Sequence, residues 1–236
     1  MTTEDEAEPV DAELYPDVAE YGGLGAALTA VAAREGAAIG RIVSAGPQRN
    51  SILSLVSDRG SVSVILIVNR RVFSIRVVVD DRIWASGGAA LLTEVVGVAA
   101  AWQGGTTLRQ LCDTFPFMKT DPIALGYEAS DPLGGYWEAN LTDPELTVVR
   151  PLLQAARRHP RLSRLFPGVS HLTLVRLRLD DKDRERGDVE IQVKPDGHYV
   201  IDSSWSDEPQ TADSIDDAIA SAAALLPTPP SSLEPS

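Results

Sequence analysis

Between residues 39 and 86 the chain lays out five short runs rich in β-branched residues, and this stretch restricts the fold more than any other. The runs cover 39–44, 52–57, 62–68, 72–79 and 82–86. Gly46-Pro47, Asp58-Arg59-Gly60, Asn69-Arg70 and Asp80-Asp81 separate them. Gaps this short join antiparallel neighbours, because a parallel pair needs a crossover of about a dozen residues or more. The run 62–68 is almost wholly apolar and reads as a central strand. The economical topology is a meander.

The period then changes from two to 3.6. Leu91, Val95, Val98, Ala99 and Trp102 form a helical stripe, with Ser86 as its cap and Ser86-Gly87-Gly88 as the turn before it. Leu24, Leu28 and Val31 place an earlier helix over 23–34, stopped by Gly36. A further helix is expected over 106–115, and broken helix and turn over 121–140. Asp143-Pro144-Glu145 reads as the start of a helix running to Arg158, where His159-Pro160 ends it. A strand over 171–179, a hairpin around Pro195-Asp196-Gly197 and a helix over 214–226 complete the pattern. The fold class is α+β: an antiparallel meander, readable as two strand-strand-helix lobes, packed with amphipathic helices. One globular region over 21–226 is expected, with lobes 21–142 and 143–226. Residues 1–20 read as a disordered acidic arm and 227–236 as a disordered proline-rich tail.

A net charge of -13 argues against general nucleic-acid binding, which needs a basic surface. No apolar run approaches the roughly 18 residues of a membrane helix, and no secretory signal opens the chain. One cysteine leaves no intramolecular disulfide and no multi-thiolate metal site. The expected location is therefore cytoplasmic. Three lysines against eighteen arginines, among many Ala, Gly and Pro, suggest a GC-rich genome such as an actinobacterial one.

Charge is unevenly spread. The first twenty residues hold eight acids and no base, whereas 150–164 hold five arginines, one histidine and no acid. Arg150, Arg157, Arg158, Arg161 and Arg164 are the candidate ligand-binding residues, suited to a carboxylate, phosphate or acidic peptide, with Trp137 as an apolar wall. The competing reading is that they neutralise the acidic arm or surface carboxylates. His171 is the candidate catalytic acid or base. His159 reads as a cation at a helix C-terminus and His198 as an exposed turn residue. No histidine pair has metal-ligand spacing, Cys112 sits on an apolar stripe, and the Gly22-Gly23-Leu24-Gly25 segment lacks the rest of a phosphate loop. Neither a metal nor a cofactor is expected.

Several blocks together resemble an actinobacterial domain-of-unknown-function family described as a natural product biosynthesis protein. They are Trp84-Ala85-Ser86-Gly87, Ala101-Trp102-Gln103-Gly104-Gly105, Phe115-Pro116-Phe117-Met118, Trp137, and the segment from Arg150-Pro151-Leu152 through His159-Pro160 and Leu165-Phe166-Pro167 to His171. The resemblance covers roughly residues 80 to 180. Gly168 and Leu172 depart from it, standing where the family has an aromatic residue and a glycine. The resemblance implies a setting in specialised-metabolite synthesis, often peptide-derived, and carries no catalytic residue. The expected function is an accessory or binding protein holding a peptide, an anionic intermediate or a partner enzyme. The alternative is a cofactor-independent cyclase or lyase using His171 with an arginine.

Overall fold

The computed structural model describes residues 9–44, 48 and 50–227. The chain forms two compact units divided between Glu128 and Ala129. The expected division after residue 142 is displaced because Trp137 is built into the second unit's core.

The first unit contains α1 (Pro16–Glu20), α2 (Leu24–Glu35), β1 (Arg41–Val43), β2 (Ile52–Ser57), β3 (Gly60–Leu66), β4 (Phe73–Val79), β5 (Arg82–Ala89), α3 (Leu92–Gln103), α4 (Leu108–Thr114), β6 (Met118–Thr120) and α5 (Pro122–Glu128). The strands pair in the order β1-β2-β3-β4-β5-β6, all antiparallel, so the meander is realised. One face buries Leu53, Leu55, Val62, Val64, Phe73, Ile75 and Val77, which join Leu24 and Leu28 of α2 and Val95, Val98 and Trp102 of α3 in one core. Each such side chain contributes about 1.5–3 kcal/mol by leaving water.

Two local expectations fail in the first unit. Ser86-Gly87-Gly88 is not the turn before a helix but the end of β5; α3 starts at Leu92, where the Glu94 carboxylate accepts the Ala90 and Leu91 amides at 3.0 and 3.1 Å. Those small residues serve β6 instead, which returns after two helices to pair Ser86 with Lys119 and Gly87 with Met118. A Cβ on Gly87 would lie 2.4 Å from the Phe117 carbonyl oxygen, so only glycine permits this approach.

The expected disordered arm is also corrected. Its first eight residues lie outside the described ones, but from residue 9 the segment is packed. Tyr15 is 2% exposed. Its hydroxyl accepts the Ile67 and Val72 amides at 3.0 Å and faces the Ile67, Arg70 and Val72 carbonyls at 2.9 Å, one of which takes its proton. Asp17 completes the clamp through a two-fold bond to Arg71, 2.8 Å at each oxygen. The low apolar content around Tyr15 concealed this, because a few residues do the anchoring: Tyr15, the fully buried Val18 and Asp17.

The second unit contains α6 (Pro132–Thr142), α7 (Arg150–Arg158), a 3-10 turn (Leu162–Arg164), β7 (Phe166–Ser170), β8 (Leu174–Arg178), a second 3-10 turn (Arg184–Arg186), β9 (Asp188–Val193), β10 (Tyr199–Ser203), β11 (Ser206–Ala212) and α8 (Ile215–Ala224). Its sheet is again an antiparallel meander, ordered β11-β10-β9-β8-β7. Trp137, Leu152, Leu153, Val175, Leu177, Ile191, Ile201 and Ala222 fill its core. The helix expected from Pro144 begins only at Arg150, with Pro151 in its first turn. The Asp143 carboxylate instead accepts the Glu145 amide, closing a turn, and Leu146 and Val149 are buried outside the helix. The strand expected over 171–179 is a hairpin: β7 and β8 flank a turn in which His171 and Leu172 both have positive φ, 52 and 61°. Of the expected tail only Pro227 is among the described residues.

Both sheets end in blunt edges. β1 and β6 have three residues each, β7 carries Pro167, and β11 carries Pro209 among five consecutive exposed residues.

Candidate functional site

The structure employs most of the nominated arginines internally. Arg161 donates to the carbonyls of Ala223 at 2.8 Å, Leu226 at 3.2 Å and Pro227 at 3.0 Å, closing the C-terminal end of α8. Arg157 donates to Ser163 O at 3.2 Å and lies 5.4 Å from the Trp137 ring centroid. Arg150 donates to the Asp143 carbonyl, while its buried Nε has no partner among the described residues. Trp137 is 1% exposed and donates its indole N–H to Ser163 O at 3.1 Å, so it is core and not a pocket wall. Only Arg158 and Arg164 of the set are exposed and unpaired among the described residues. Three of the five arginines are thus placed on main-chain carbonyls. Nor do these arginines hold the acidic segment, whose described anchor is Arg71.

His171 is exposed at the tip of the β7–β8 turn and bonded to Ser170 Oγ at 2.9 Å. His159 closes α7, its Nδ1 accepting the Arg161 and Leu162 amides at 3.3 and 3.4 Å. His198 pairs with Asp213 at 2.7 Å on the surface. Cys112 packs against the first core, and burial pushes its thiol pKa up.

A site that sequence reasoning did not nominate lies in the first unit. In the β4–β5 pairing Val77 faces Ala85 and Val78 faces Ile83, which leaves Trp84 as the extra residue of a β-bulge. Bulges re-aim side chains. Here Ile83 stays on the open face, 51% exposed, while Trp84 turns to meet Trp102 of α3 edge to face, with centroids 6.2 Å apart. Thr120 of β6 fixes the bulge by donating to Trp84 O at 2.7 Å.

Cations close both ends of this aromatic group. Arg59, from the β2–β3 turn, lies 3.9 Å over the Trp102 ring and donates to Trp102 O and to Thr106 O, the latter at 3.1 Å. At the other end Tyr127 stacks on Trp84 with centroids 6.4 Å apart, and Arg82 lies 4.7 Å over Tyr127. The ladder therefore runs Arg82–Tyr127–Trp84–Trp102–Arg59. Glu128 ties it down, accepting the Leu108 amide at 2.9 and 3.1 Å and standing 3.9 Å from Arg59.

Beside the ladder is a cavity of about 340 Å³, lined by Asp58, Arg59, Asp80, Trp84, Trp102, Tyr127 and Glu128 among others. A second hollow of about 370 Å³ shares Asp58 and Arg59 with it. The Asp58 and Asp80 carboxylates have no hydrogen bond or ion pair among the described residues, and the buried Trp84 and Trp102 Nε1 groups have no acceptor there. The site offers flat apolar walls and two free carboxylates. The sequence signal was present, since both tryptophans lie in the blocks carrying the family resemblance, but the bulge that joins them has no sequence signature. No group of residues suited to a metal ion occurs among the described residues.

Residues 136–232 match a family of unknown function, DUF6193. The match falls within the second unit and includes the arginine-rich segment. No curated protein and no solved structure matches the chain. Among the described residues no helix is long and apolar enough to cross a membrane.

Proposed function

We propose that the chain is a binding protein that receives a small ligand beside Trp84, Trp102 and Tyr127, in the specialised-metabolite setting implied by the sequence resemblance. The observation carrying this reading is the bulge-built cavity of about 340 Å³, within the size range of small-molecule sites. A flat portion of the ligand packs against Trp84 and Tyr127. A cationic or donor group faces Asp58 and Asp80. Arg59 and Glu128 hold the walls by bonding to the ends of α3 and α4. The actinobacterial origin suggested by composition and the peptide-derived pathway belong to the same proposal.

The test is deletion of the gene followed by mass spectrometry of the compound that accumulates. That compound is then titrated into the purified protein and into Trp84→Ala by calorimetry. Saturable binding that Trp84→Ala weakens by about tenfold or more supports the reading. Conversion of the compound by the purified protein replaces it with an enzymatic role. An unchanged metabolite profile rejects the setting, and equal affinity of the two proteins rejects the site.

A further inference from the structure

The open face of the first sheet carries a charge pattern opposite to that of the chain. Strand register lines up Val43, Ser54, Ser63, Arg76, Ser86 and Lys119 in one row across all six strands. The flanking rows run from Arg41 to Ile83 and from Ile52 to Gly88. These three rows hold three cations, five serines and no carboxylate, in a chain with 34 acids against 21 bases. Arg41, Arg76 and Lys119 are exposed, and among the described residues none has a hydrogen bond or ion pair.

The second sheet shows what an outward arginine does when it is structural. Arg176 on β8 is locked between Asp188, at 3.2 Å, and Glu190 on the neighbouring strand. Cross-strand pairing of this kind is the ordinary use of charge on a sheet face. The first sheet forgoes it, although acids lie at its rim in Asp58, Asp80 and Asp81. Its cations are left for something outside the unit.

We propose that this face docks an acidic, extended polypeptide segment of another protein. Arg76 and Lys119 stand two strands apart, about 10 Å between backbones, with Ser86 between them. The row spans six strands, about 24 Å, which suits a chain with several carboxylates. Serines provide hydroxyls between the cations, and Val43, Val56, Val78 and Ile83 offer apolar contact to the alternate side chains of an extended partner. Charge complementarity speeds and selects the encounter in a protein whose remaining surface repels acidic chains. The face has no aromatic platform for unpaired bases, which disfavours single-stranded nucleic acid. The proposal uses none of the cleft residues.

The experiment titrates a peptide of alternating glutamate and leucine into the 15N-labelled full chain and follows backbone amide shifts. Fluorescence anisotropy of the labelled peptide gives affinities. Shifts are expected across β1 to β6, with affinity falling at least about tenfold in R76E/K119E and falling again with added salt. Trp84→Ala retains the affinity, which separates this proposal from that for the cleft. If the double reversal fails to fold, Arg76→Gln and Lys119→Gln replace it, each expected to weaken binding several-fold. The proposal is overturned by the absence of saturable binding, by unchanged affinity in these variants or by shifts centred on Arg158 and Arg164. It is equally overturned if an oligothymidine probe binds this face more tightly than the peptide, or if sedimentation shows that a second copy of the chain already covers it.

Discussion

Arg161 and Ala223, 62 residues apart, are joined by a 2.8 Å hydrogen bond that places a guanidinium on the closing turn of α8. The same side chain also takes the Leu226 and Pro227 carbonyls. Charge-assisted bonds of this kind contribute about 1.5–3 kcal/mol together, because truncation leaves carbonyls unsatisfied. Arg161→Met should therefore lower unfolding stability by about 2 kcal/mol in urea titrations, whereas Arg158→Ala should change it by less than about 0.5 kcal/mol. Equal effects would mean that the carbonyl bonds are not what retains Arg161.

Tyr15→Phe keeps the ring against Phe73, 5.4 Å between centroids, and removes only the hydroxyl. The Val72 amide then loses its acceptor, at a cost of about 1–3 kcal/mol, while the Ile67 amide keeps the Val72 carbonyl at 3.1 Å. Equilibrium unfolding should register this loss, and hydrogen exchange should accelerate at the Val72 amide more than at the amides within β3 and β4.

Acid sensitivity should reside partly in Asp17. The Arg71 guanidinium, bonded to both of its oxygens, holds its carboxyl below the usual carboxylate range. A folded-state pKa below the unfolded value near 3.9 contributes stability that is complete above about pH 5 and is lost as pH falls through the folded value. The pair is about one-third exposed, so the contribution should stay below about 1 kcal/mol. Asp17→Asn should lower stability at pH 7, and its difference from the wild type should shrink steadily below pH 4.

Cys112 should react slowly. Burial raises its thiol pKa, with Lys119 opposing weakly, so little thiolate exists at pH 7.5. Ellman's reagent should modify the native chain more slowly than the urea-unfolded chain after correction for denaturant. Native reactivity equal to that of the unfolded chain would contradict the packed position against the first core.

Much of the fold was legible because hydrophobic alternation and turn residues are local. The β2 and β3 positions and the Gly36 stop with φ of 65° match what their residues dictate. The misreadings share a cause in non-local partners. β6 exists because Gly87 lets Met118 come close, β11 holds Pro209 because an edge needs no donor there, and Tyr15 orders a segment with little apolar content of its own. The candidate site was less legible than the fold. Arg157 and Arg161 looked free in sequence, yet their acceptors are main-chain carbonyls that every sequence contains and none advertises. Trp84 meets Trp102 only because one extra residue in β5 turns it over.

The blunt sheet edges bear on how the protein behaves when crowded. A long, regular edge strand would let copies stack backbone to backbone into growing ribbons. Three-residue borders and prolines at positions 167 and 209 remove that template. The chain can therefore display a broad, lightly polar sheet surface at high concentration without seeding fibres, and whatever it associates with must recognise side chains and not the main chain.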